Sequence, residues 1–113
     1  MISPLLLLVL AAPAHPGPPP NANAQRQALT HCLSELVKAD LQTKTAADAF
    51  TTKANAACVA EEASFRSASI IADRAVGIRP ADAEQNAKSE IADLRAVAIE
   101  RYKDNLGPST PPH

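Results

Sequence analysis

Residues 32–58, CLSELVKADLQTKTAADAFTTKANAAC, decide the fold, because the segment begins and ends on the only two cysteines of the chain. Its midpoint is residue 45, inside Thr43-Lys44-Thr45, a polar turn between two periodic apolar stretches. Before the turn, Ala28, Leu29, Cys32, Leu33, Leu36 and Val37 recur at three- and four-residue steps, the signature of one helical face. After it, Phe50, Ala54, Ala57, Cys58, Phe65, Ala68, Ala72 and Ala75 continue the same period. Two helices that double back at Thr45 hold residues equidistant from the turn at the same height. Cys32 and Cys58 then face each other across one seam, and outside a reducing cytoplasm they form a disulfide. Closing a loop of roughly 27 residues contributes ~3.5 kcal/mol in the chain-entropy description.

Working outward, the first helix is expected from about Asn23 to Leu41. Thr45 stands ready to cap the second, with Asp48 favourable near its positive end. No Gly or Pro interrupts Ala46 to Val76, so the second helix is expected to be continuous. Gly77 suits the left-handed residue that ends a helix, and Pro80 suits the first turn of a third. That helix runs to about Leu106 before Gly107-Pro108. The expected fold is all-α: an antiparallel three-helix arrangement, a helical hairpin plus a third helix, over residues 25–106. Residues 107–113 are expected to be a disordered tail. With aromatic residues at 3% and three glycines, a β-rich chain is excluded.

Upstream, the first 25 residues carry no charged side chain. Leu5 to Leu10 is an apolar run, continued by Ala11 and Ala12 and then broken by a series of prolines. It is too short for an ordinary membrane-spanning helix, which needs about 20 apolar residues. It has the form of an export signal occupying residues 1–24. The small-x-small cleavage sites are Ala12-Pro13-Ala14 and Ala22-Asn23-Ala24, and the second is the expected one. The n-region lacks Lys and Arg, which is unusual for such a segment. Removal of this segment predicts a periplasmic or secreted protein with no stable membrane anchor.

The charges nearly cancel: 11 Lys+Arg against 12 Asp+Glu over 113 residues. A chain with no excess of cations is no electrostatic nucleic-acid binder, since nothing is left to neutralise phosphates. No phosphate loop, dinucleotide fingerprint or metalloprotease motif occurs, and no Ser/His/Asp set assembles. Of the three histidines, only His31 lies in the helical body, so the chain reads as a non-enzyme without a cofactor. No C-x-x-C spacing or His-rich cluster supplies a metal set, so no metal site is expected.

Two features remain as candidate sites. Glu61 falls in the apolar stripe of the second helix, level with about residue 97 of the third. A buried carboxylate needs a partner, and the expected one is Arg95, with Arg101 or the Tyr102 hydroxyl as alternatives. Glu62 is expected to pair with Arg66 one turn on. The second feature is an apolar ledge at Ile70 and Ile71. Beyond residue 66 the second helix outruns the first, and these two side chains point to different sides. Such a ledge suits a protein partner or a second copy of the chain.

The leader, the Cys32…Cys58 pair and Ala56-Ala57-Cys58-Val59-Ala60-Glu61-Glu62-Ala63-Ser64-Phe65 together resemble small secreted bacterial helical proteins of unknown function. That resemblance implies a helical fold and export but no activity. The chain is also similar to small periplasmic acid-stress chaperones in combining helices with one disulfide, although it carries no motif of theirs. The function expected is an exported helical interaction or structural module. The alternatives are a periplasmic stress chaperone and a small-ligand or metal carrier.

Overall fold

The structure is a computed structural model that describes residues 19–107. The apolar run of the expected export signal and residues 108–113 of the expected tail lie outside the described residues. Four helices follow in order: α1 (Asn23–Thr43), α2 (Ala47–Ala56), α3 (Val59–Ala75) and α4 (Pro80–Leu106). The described residues contain no strand, so the all-α expectation holds.

α1 starts behind Ala22, and the Asn21 side-chain oxygen accepts the Asn23 N–H at 3.0 Å. Ala22 is itself buried and belongs to the apolar core. α1 thus starts at the expected Asn23, upstream of the cleavage site expected after Ala24. At the other end, Lys44 adopts the left-handed conformation (φ 51°). The Thr45 and Lys44 N–H groups donate to the carbonyls of Asp40 and Leu41, so the last turn keeps its acceptors satisfied. Gly77 (φ 88°) ends α3 in the same way, with Ile78 and Gly77 donating to Asp73 and Arg74. Here the expected glycine stop and the Pro80 start both occur. The expected Thr45 cap does not. α2 begins one residue later than such a cap requires, behind Ala46, and the Thr45 hydroxyl pairs with that of Thr43 at 3.0 Å.

The largest departure lies between Ala56 and Val59. The continuous second helix expected from the sequence is two helices, α2 and α3. Ala57 is extended (φ −81°, ψ 168°) and Cys58 is left-handed (φ 61°, ψ 38°). Neither residue type signals a break, because the cause lies elsewhere in the chain. In an uninterrupted helix the Ala54 carbonyl would accept the Cys58 N–H. Instead it accepts from Arg95 Nη1 of α4 at 2.6 Å. A guanidinium at the C-terminal end of α2 also meets the negative end of the helix dipole. In turn, Glu61 and Glu62 occupy the first turn of α3, where acidic residues are favourable.

α4 packs on all three other helices. Its buried positions, Ala83, Ala87, Ile91, Arg95, Ala98 and Tyr102, recur every three or four residues. α1 contributes Leu29, Leu33 and Val37, α2 contributes Phe50 and Ala54, and α3 contributes Phe65. The Phe50 and Tyr102 rings stack with centroids 3.8 Å apart. Of the expected second helix, the α3 part packs on α1 as well as on α4, whereas the α2 part leans on α4 and barely meets α1. The break turns α2 toward α4 and leaves α3 to cover α1.

Candidate functional site

Four polar arrangements sit in this scaffold. The first lies at the break. Arg95 is 6% exposed and spans the gap between α2 and α3. Its Nη1 donates to the Ala54 carbonyl, and its Nη2 lies 3.3 Å from Glu62 Oε1. The sequence paired Arg95 with Glu61, and the structure corrects this to Glu62. Helical-wheel counting through a continuous helix carried the wrong phase past Cys58. With Glu62 engaged by Arg95, the expected Glu62–Arg66 contact gives way to Arg66 facing Glu84 of α4, at 4.0 Å. Arg101 is exposed, and the Tyr102 hydroxyl donates to the backbone carbonyls of Thr45 and Asp40 rather than to Glu61.

The second arrangement is the cysteine pair. The sulfurs of Cys32 and Cys58 lie 2.04 Å apart, at disulfide distance, with their Cα atoms separated by 6.1 Å. The pair joins the middle of α1 to the residue that precedes α3. Cys58 reaches Cys32 from a left-handed backbone that non-glycine residues adopt infrequently, so the break itself orients the sulfur. Glu61, displaced from Arg95, belongs here instead. Its carboxylate and the two sulfurs lie within 4.8 Å of one another, and all three residues are half-buried. Glu61 also lines a shallow open cleft with Ala24, Gln25, Ala28, Ala60 and Ser64. The sequence did not place this carboxylate beside the cysteines. The signal that could have found it is Cys58-x-x-Glu61, one helical turn apart.

The third arrangement was not foreseen. Asp40 is 6% exposed; its Oδ1 accepts from Lys53 Nζ at 3.0 Å, tying α1 to α2. Its Oδ2 is buried with no hydrogen-bond partner among the described residues. Asp40 follows Leu33 and Val37 on the buried stripe of α1, which is the trace it leaves in the sequence. Nearer the start of α1, Arg26 Nε meets Glu90 of α4 at 2.5 Å, and the guanidinium carbon stands 5.3 Å from the Phe65 ring centre. One cation thereby connects α1, α3 and α4.

At the ledge, Ile70 is half-buried and Ile71 is 58% exposed. No described helix is long and apolar enough to cross a membrane.

No protein family, curated protein or solved structure matches the chain. Fold and site together define an all-α domain whose broken second column is pinned by a buried arginine and by a cysteine pair at disulfide distance.

Proposed function

We propose that the chain is an exported helical module, working in the periplasm or outside the cell, whose task is structural or is the binding of a protein partner. The observation that carries this reading is the Cys32–Cys58 pair at disulfide distance. Such a bond persists in oxidising compartments and is rare in the cytosol. The fold also has reason to depend on it. The buried apolar cluster of the described residues is small, seven larger side chains and three alanines, and small domains with thin cores commonly rely on a covalent or metal staple. The partner surface in this reading is the Ile71 side of α3, where a large apolar side chain stands in solvent. A second copy of the chain or another protein would cover it.

Fractionating cells of the native host and determining the N-terminus of the recovered chain tests the proposal. Protein found outside the cytoplasm, lacking Met1 and carrying a bonded cysteine pair, agrees with it. Cytoplasmic protein that retains Met1 and two free thiols contradicts it.

A further inference from the structure

The cluster at the α1–α3 seam has a second possible occupant besides a disulfide bond. Cys32, Cys58 and Glu61 present two sulfurs and a carboxylate whose ligand atoms lie within 4.8 Å of one another. Two thiolates and one carboxylate are ligands that Zn²⁺ accepts, and three protein ligands leave a fourth tetrahedral position for water or a donor molecule. Donor atoms bound to one such ion stand about 3.5 Å apart, given metal–ligand distances of roughly 2.0–2.3 Å. The sulfurs must separate from their bonded distance, and Glu61 must approach by a side-chain rotation. The backbone already allows both, with the two Cα atoms 6.1 Å apart and Glu61 one turn beyond Cys58. Beside the cluster, the cleft along Ala24, Ala28 and Ser64 is open to solvent, which gives the ion a route in.

We infer that the dithiol form of this chain binds a zinc-class divalent cation through Cys32, Cys58 and Glu61, so that one pair of cysteines holds α1 to α3 by a disulfide when oxidised and by a metal when reduced. The chemistry balances with a dithiol as reductant. The dithiol gives two electrons and two protons to the Cys32–Cys58 bond and becomes a disulfide itself, leaving two protein thiols. The cation then replaces the two thiol protons, which pass to solvent. Zinc neither gains nor loses an electron.

Cobalt(II) is the probe, since its bonds to thiolate sulfur give near-ultraviolet charge-transfer bands. The purified full chain is reduced with a phosphine, which takes oxygen from water as it opens the bond, and is titrated with cobalt and then with zinc. The inference expects the bands to appear in the reduced chain only and to vanish as zinc displaces cobalt. C32S abolishes them, and E61Q weakens zinc binding by roughly tenfold or more, at least the loss that follows removal of an outer-shell partner. Bands absent from the reduced chain, equal binding by the oxidised chain, or an E61Q titration that superimposes on the wild type would overturn it. Far-ultraviolet circular dichroism follows the same titration. If reduction loosens the helices, zinc restores the ellipticity of the oxidised chain; a titration that leaves it unrestored counts against the site.

Discussion

Arg95 of α4 donates a hydrogen bond at 2.6 Å to the carbonyl oxygen of Ala54, the acceptor that a continuous helix would have given to Cys58. The guanidinium thus takes over the C-terminal end of α2, and its other nitrogen faces Glu62 in the first turn of α3. The break, the orientation of Cys58 and the position of Glu61 all follow from this one contact.

Replacing Arg95 with Met keeps much of the side-chain volume but leaves the Ala54 carbonyl and the Glu62 carboxylate without their donor. Glu62 is partly exposed (27%) and can recruit water, so the cost falls below that of a fully buried broken pair. An unfolding free-energy loss of about 2–3 kcal/mol is expected, measured by urea denaturation. Adding Glu62→Gln to the Arg95→Met chain then costs little more, because the two residues act through one network. Two independent, additive losses would refute the bridge.

Tyr102 is fully buried, stacks on Phe50, and donates its hydroxyl to the carbonyls of Thr45 and Asp40 in the α1–α2 turn. Tyr102→Phe keeps the stacked ring and removes the donor. A loss of about 1–2 kcal/mol is expected in the same urea assay. Amide exchange in Thr43 to Ala47 should quicken more than exchange in α3, since the hydroxyl holds the turn and not the seam with α3. Unchanged stability would show that these carbonyls do not need the hydroxyl.

Ile71 is the test of the partner surface. Burying one isoleucine at an interface stabilises it by roughly 1.5–3 kcal/mol, so Ile71→Glu should weaken any association through that face by at least tenfold. Sedimentation velocity of the wild type and the variant reads this directly. If the wild type is monomeric as well, self-association through this ledge is wrong.

The alternative cleavage sites make different chains. Cutting after Ala24 removes Ala22, which is buried in the core, and Asn21, whose side chain holds the first turn of α1. Cutting after Ala14 leaves both in place. Under the proposed export, the mature protein is therefore expected to start at His15, in place of the Gln25 that the sequence favoured, and its intact mass distinguishes the two. A terminus at Gln25 would show that α1 does not need its first turn.

Much of the helical layout was legible because it rests on local signals. The left-handed turn at Gly77, Pro80 in the first turn of α4, and the three- and four-residue spacing of Leu29, Leu33 and Val37 are written in neighbouring residues. The cysteine pair was legible too, from equal distances to the Thr45 turn. The break at Ala57–Cys58 was hidden because it is a tertiary effect: an arginine 41 residues away in sequence claims the carbonyl. Once that break was missed, the phase of α3 was wrong. Arg95 was consequently assigned to Glu61 in place of Glu62, and Glu61 went unnoticed beside the cysteines. Asp40 escaped for another reason, since a lone acidic residue near a helix end gives no sign that Lys53 will cover it.

Thiol trapping on protein taken from the native host tests the clamp between α1 and α3 most directly. Cells are lysed in acid, the chain is alkylated under denaturing conditions without reductant, and its peptides are mapped by mass spectrometry. The account predicts a single cross-linked peptide joining Cys32 to Cys58, with no alkyl label on either. It further predicts that breaking this bond lowers unfolding stability by ~3.5 kcal/mol. Two labelled cysteines in the freshly trapped protein would contradict it.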